Sequence, residues 1–162
     1  MSRRIFHHAF LMSLALIWLA GCGQKPSSGL PPPTAQSALN RIQLRIDTAT
    51  VSLEVADDDL ERQNGLMFRE SLREDEGMIF IFPDSERRSF YMRNTFMPLD
   101  IAYIDSSGRI TDILQMAPRQ EEPTYDSSVP VPFAIELNVG WFERHRIGIG
   151  AKISPVPQRS SQ

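Results

Sequence analysis

From Leu39 onward the chain runs in short stretches where hydrophobic and polar positions alternate. Ile42, Leu44 and Ile46 are separated by Gln43 and Arg45, and Val51, Leu53 and Val55 repeat the pattern after Thr48 and Ala49. A period of two predicts two half-buried strands. Three consecutive aspartates, Asp57, Asp58 and Asp59, then break the pattern. Asp58 and Glu61 have the spacing of a capping box, which predicts a short helix ending near Gly65. The triplet is therefore read as a helix start. A calcium loop would need alternating oxygen ligands around a glycine turn, and that pattern is missing.

Further strands are predicted over residues 77–82, 89–94, 99–105 and 109–116. Asp105, Ser106, Ser107 and Gly108 supply the hairpin turn between the last two, with Gly108 suited to positive φ. Short connections favour adjacency, so 77–82, 89–94 and 99–105 are expected side by side in a central sheet. A polar loop over 117–132 carries Pro118, Pro123, Pro130 and Pro132, and its length marks it as a candidate wall of a site. A strand over 133–139, a short helix or turn over 140–147 and a closing strand over 151–156 complete the domain. The predicted fold class is mainly β, a small sandwich or jelly-roll-like barrel with one or two short helices.

The N-terminal segment reads differently. Arg3 and Arg4 precede an uncharged apolar run over residues 9–20, too short for the roughly 20 residues of a membrane-spanning helix and suited to a secretory signal. Leu19-Ala20-Gly21-Cys22 resembles the lipobox of bacterial lipoproteins, and Cys22 is the single cysteine of the chain. That resemblance implies a signal over 1–21, cleavage before Cys22 and lipidation of its sulfur, which would hold the protein on a membrane. Gly23 after the cysteine, where the inner-membrane retention signal has aspartate, implies an outer-membrane address facing the periplasm. Residues 22–38 are rich in Pro, Ser and Gly and read as a flexible tether, 39–157 as the β domain, and 158–162 as a polar tail.

Composition then narrows function. Removing Arg3 and Arg4 from the 17 basic residues leaves 15 against 20 acidic, so the mature charge is near −5 and nucleic-acid binding is disfavoured. With Cys22 lipidated, the domain has neither disulfide nor thiolate ligand.

Gly65-Leu66-Met67-Phe68-Arg69, Gly77-Met78-Ile79-Phe80, Phe90-Tyr91-Met92-Arg93-Asn94-Thr95 and Pro98-Leu99-Asp100-Ile101 together resemble the family known as Domain of Unknown Function 192. Tyr125, Ser127, Pro130, Ile135-Glu136-Leu137 and Gly140-Trp141 continue the resemblance, which covers roughly residues 41 to 155. Tyr91 and Arg93 depart from it, standing where the family typically has tryptophan and lysine. The resemblance implies a small β structure of sandwich or jelly-roll type and no established activity.

Candidate site residues are Arg69, Arg93, Asn94, Asp100, Tyr125 and Glu136. Arg93, Asn94 and Asp100 bracket a turn that could bind a polar ligand, or Asp100 could bridge to Arg93 and leave a purely structural turn. Glu136 lies between Ile135 and Leu137, and Glu54 between Leu53 and Val55. Alternation puts each glutamate on the face opposite its neighbours. That face is expected to be solvent; were it the concave face, Glu136 would meet a ligand or pair with Arg69 or Arg93. Charges interrupting apolar segments predict that Arg69, Arg93, Asn94, Asp100 and Glu136 include a buried network beside Tyr125.

Residues for catalysis are sparse. His145, the one histidine after the signal, has nothing that marks it as a base, and no nucleophile motif is present. Met67, Met78, Met92, Met97 and Met116 could ligate copper(I), although methionine commonly fills cores. The favoured expectation is a membrane-anchored, non-catalytic domain that needs no cofactor and meets an envelope protein or a polar or glycan ligand. The alternatives are a glycan-hydrolase-like enzyme using Asp100 or Glu136, and a periplasmic copper(I) binder.

Overall fold

The computed structural model describes residues 34–158, all of which fall within one compact unit spanning 32–162. The expected signal, Cys22 and the tether as far as residue 33 lie outside the described residues, as does the tail beyond 158. In chain order the elements are β1 (Arg41–Ile46), β2 (Ala49–Ala56), α1 (Asp59–Asn64), β3 (Glu76–Glu86), β4 (Ser89–Phe90), β5 (Leu99–Ile104), β6 (Ile110–Met116), β7 (Tyr125–Asp126), β8 (Val131–Asn138), α2 (Trp141–Arg144) and β9 (Ile153–Ser154). The fold is mainly β, as the alternation predicts. Seven strands in the order β6-β5-β8-β3-β2-β1-β9 curl into a half-barrel, and β4 pairs with β7 in a separate ribbon.

Local signals act where the sequence places them. Asp58 caps α1: its side chain accepts from the Glu61 amide at 2.7 Å, while the Glu61 carboxylate accepts from the Asp58 amide at 3.3 Å. This satisfies two of the amides that a helix start leaves unpaired. Between β5 and β6, Asp105 accepts from the amides of Ser107 and Arg109 at 2.8 and 3.0 Å, and Gly108 has φ 79°.

Strand order departs from the expectation. Residues 77–82 and 99–105 do join the sheet, but β8 lies between them, and 89–94 stays in strand only over Ser89–Phe90. Two physical reasons account for this. Asn94 takes a left-handed φ of 56°, and the Thr95 amide closes a turn onto Met92, so the segment bends out of the sheet. Residues 131–137 of β8 are all buried, and a strand buried on both faces belongs in a sheet's interior. The closing strand is also shorter than predicted, Ile153–Ser154, where it pairs with β1.

Both faces of the sheet are covered. Leu53, Ile79, Ala102, Ile135 and Leu137 point to one core, with Trp141 and Phe142 of α2. Ala56, Met78, Phe80, Ile101, Tyr103 and Ala134 point to the other, with Leu66, Met92 and Met97. β2 and β3 pair in parallel, so the chain must cross over between them, and this crossover carries α1 and Leu66 onto the second face. The expectation that Glu54 and Glu136 face solvent is overturned here. Cross-strand register puts Glu54, Met78, Glu136 and Ile101 side by side on that second face, under the crossover.

Candidate ligand-binding site

Glu136 is 4% exposed and lines a cavity of about 200 Å³. Its neighbours there are Leu66 and Met67 from the crossover, Phe80 from β3, Phe90 from β4, and Tyr91 and Thr95 from the turn that follows. Phe90 stands edge-on to Phe80, with ring centroids 4.9 Å apart, and to Tyr103 at 5.8 Å. No hydrogen bond or ion pair reaches the Glu136 carboxyl among the described residues. Burial alone raises its pKa, from 4.5 to about 8, so the group is largely protonated at neutral pH.

The cavity's edge is built from strained backbone. Phe68 has φ 60°, an unusual conformation for an aromatic residue, and its amide donates to the Asn94 carbonyl at 2.8 Å. Arg119, with φ 59°, donates its amide to the Thr95 carbonyl at 3.0 Å. Three left-handed residues thus meet around the 93–95 turn. Such clusters persist only where surrounding contacts enforce them, and they concentrate at functional sites.

Glu54 is buried on the same face but is fully engaged. Arg69 clasps it with two nitrogens, at 3.0 and 2.7 Å, and Arg41 donates to it at 2.8 Å from the neighbouring strand. A buried charge network does form, but it is not the one expected among Arg69, Arg93, Asn94, Asp100 and Glu136 beside Tyr125. Arg69 belongs to it, while its partners are Glu54 and Arg41 instead of Arg93, Asn94, Asp100 or Glu136.

The remaining candidates disperse. Asp100 pairs in register with Leu137 and so faces the opposite core from Glu136. Burial raises its pKa, while the backbone amides of Gly140, Phe142 and Trp141 and the charge of Arg144 pull it down. It does not bridge to Arg93. That arginine is 53% exposed, lies 3.5 Å from Glu121 and stacks over Tyr91 at 4.9 Å. Asn94 serves the turn through its backbone. The Tyr125 hydroxyl accepts from the Ala117 amide at 2.7 Å, and its carbonyl accepts from Tyr103 at 2.6 Å, so it braces the loop. None of residues 117–132 lines the Glu136 cavity. Met78, Met92, Met97 and Met116 are buried core fillers, and only Met67 reaches the cavity. His145 stacks on Trp141 with ring centroids 4.2 Å apart.

A family model, DUF192, described as "Uncharacterized ACR", matches residues 42–155. The chain belongs to the DUF192 family. Two solved structures share its fold. One is a candidate transcription regulator from Sinorhizobium meliloti 1021, 31% identical with a TM-score of 0.70, the match covering 74% of this chain and 96% of that one. The other is a protein of unknown function from Novosphingobium aromaticivorans DSM 12444, 29% identical with a TM-score of 0.69, covering 78% of this chain and 94% of that one. No curated protein matches. Gly65, Leu66, Met67, Phe80, Phe90, Tyr91, Thr95 and Glu136, which all line the cavity, come from the sequence blocks that carry the DUF192 resemblance. Sequence reasoning found Glu136 and missed the hydrophobic residues around it. Those blocks were the available signal, but an apolar residue at a cavity and one in a core look the same in sequence.

Proposed function

We propose that this DUF192 protein is a lipid-anchored envelope protein whose β domain binds a small ligand in the Glu136 cavity and performs no chemistry of its own. The observation that carries the binding role is the Glu136 carboxyl, buried, without a partner, and opening on a cavity. Leaving a buried polar group unpaired costs stability, and Glu54 on the same face shows that this fold can supply arginines to a buried glutamate. A carboxyl kept free beside a cavity is best explained by a ligand. The convergence of the family's blocks on the same cavity, and the strained turn at its edge, support this reading.

An enzyme working with two carboxylates is disfavoured, because Asp100 and Glu136 lie on opposite faces of the sheet. A role on nucleic acid, as the description of the Sinorhizobium protein would suggest, runs against the net charge of −3. The anchor rests on Cys22, the outer-membrane address on Gly23, and the partner is an envelope component or polar ligand that reaches the periplasmic face.

Ligand binding is tested by a small-fragment screen on the isotopically labelled full chain. Shifts should cluster at the amides of Leu66, Phe90, Thr95 and Glu136, and a cavity-filling Met67→Trp should remove them. Hits confined to the Tyr125 loop or the opposite face would refute the site. Anchoring is tested by labelling cells with a palmitate analogue: the wild type should take the label and Cys22→Ala should not. Label persisting in Cys22→Ala would end the lipoprotein reading.

A further inference from the structure

Two charged side chains line the cavity, and one is already committed. Arg62 donates to the carbonyl oxygens of Asp57 and Ile81 and pairs with Asp59, leaving it little to offer an anion. Glu136 is uncommitted. Leu66, Met67, Phe80, Phe90 and Tyr91 give it apolar surfaces, and Gln63, Ser89 and Thr95 add neutral polar groups.

Aromatic faces attract cations, and more strongly where water is excluded. The protein already uses this attraction around the cavity. Arg88 and Arg62 lie over Phe82 at 4.0 and 5.5 Å, and Arg93 lies over Tyr91 at 4.9 Å. An adjoining cleft shares Arg62 and Phe82 with the cavity and exposes Asp57, Asp58 and Asp59. The three aspartates outnumber Arg62 there, and a net negative cleft raises the local concentration of cations.

We infer that the cavity takes an organic cation, an ammonium group on a slim alkyl stem, whose charge pairs with the Glu136 carboxylate while the stem packs on the surrounding rings. The inference rests on the Glu136 cavity being the binding site. The cation is either a free alkylamine or the end of a lysine side chain. An anion would meet a carboxyl and no free guanidinium. A sugar carries hydroxyls on all sides, more than Gln63, Ser89, Thr95 and Glu136 could partner among the rings and aliphatic side chains.

Pairing requires Glu136 to ionise. Glu136–COOH and R–NH₃⁺ give Glu136–COO⁻ paired with R–NH₃⁺, and one proton passes to solvent. Besides Arg62 on α1 and Tyr91, the titratable groups on this face are Tyr103 on β5, Tyr125 on β7 and, beyond Met78, Glu54 with Arg69 and Arg41. Tyr103 stays protonated throughout, because burial and the charges of Glu136, Asp126 and Asp112 all raise its pKa. β3 presents Met78 and Phe80 there, and β4 presents Phe90. Glu136 is thus the group whose titration governs the site between pH 6 and 8.

Calorimetry on the full chain in detergent tests this with four probes: n-butylammonium, Nα-acetyl-lysine methylamide, n-butanol and butyrate. At least one of the two cations should bind, releasing close to one proton at pH 6 in buffers of differing ionisation heat. Its Kd should fall about tenfold per pH unit from pH 6 to the Glu136 pKa and then level. Binding of the free amine alone assigns a small-molecule source, and binding of the lysine derivative alone assigns a protein side chain. Glu136→Gln should abolish both the affinity and its pH dependence; the proton count on wild type stands even if that variant misfolds. Butanol or butyrate binding the cavity as tightly as the cations would overturn the inference and leave the site intact. If none of the four shifts the amides around Glu136, both the inference and the site fall.

Discussion

Glu54 and Glu136 sit on the same face of one sheet, separated by β3 and therefore about 10 Å apart at the backbone. Both are buried beneath the crossover, and the protein treats them in opposite ways. Glu54 receives a two-nitrogen clasp from Arg69 and a further bond from Arg41, so both of its carboxylate oxygens are engaged by guanidinium groups. Glu136 receives nothing, and burial drives it toward its neutral form. Depth does not separate them. What separates them is which part of the crossover lies above: over Glu54 the chain brings Arg69, and over Glu136 it brings Gly65, Leu66 and Met67, which leave a cavity. Glu54 is thus bound into the fold by ion pairs, whereas the Glu136 carboxyl faces a cavity without a partner among the described residues.

The largest expected effect comes from breaking the paired member. Arg69→Met leaves Glu54 with Arg41 as its one arginine partner and should cost about 3 kcal/mol in denaturant unfolding. Adding Glu54→Met to that variant should restore much of the loss, because the pair's net worth is smaller than the penalty of leaving one charge alone. A single-variant cost below about 1 kcal/mol would mean that Glu54 is not held as described and would dissolve the contrast.

Glu136→Gln should act in the other direction and depend on pH. The folded-state pKa is raised, so between pH 4.5 and about 8 the native state holds a proton that the unfolded chain has lost. Wild-type stability contributed by this group is therefore complete below pH 4.5 and lost as pH rises through 8. Glutamine has no such dependence. Melting curves should show Glu136→Gln gaining on wild type by several degrees between pH 5 and 8, with the two closest near pH 4.5. Destabilisation by Glu136→Gln at every pH would reveal a partner for the carboxylate and make the two glutamates alike.

The smallest effect is expected at Arg93. It is half-exposed and its pairing with Glu121 is long, so Arg93→Met should change stability by no more than about 0.5 kcal/mol. Because it borders the cavity's turn without lining the cavity, binding of a fragment that touches Glu136 should also be unchanged. A loss of that binding would extend the site outward to the exposed turn.

Residues close together in sequence carried the readable part of this protein. Alternation in 41–46 and 49–56, the Asp58–Glu61 capping box and the Asp105–Gly108 turn depend on interactions that span only a few residues, and each forms as its sequence prescribes. The same locality explains why Arg69 and Glu136 could be named as charges needing an account inside apolar segments. Their partners were another matter. Whether a face of β8 meets water, a core or a cavity depends on β8 entering between β3 and β5, and on the β2–β3 crossover folding over that face. Met78 and Ile101, which flank Glu136, are tens of residues away along the chain, and Leu66 reaches it only through the crossover. Alternation has the same period whichever side is wet. The sequence therefore determined the strands and the charged residues within them, and the tertiary structure decided which glutamate would find an arginine and which would face a cavity.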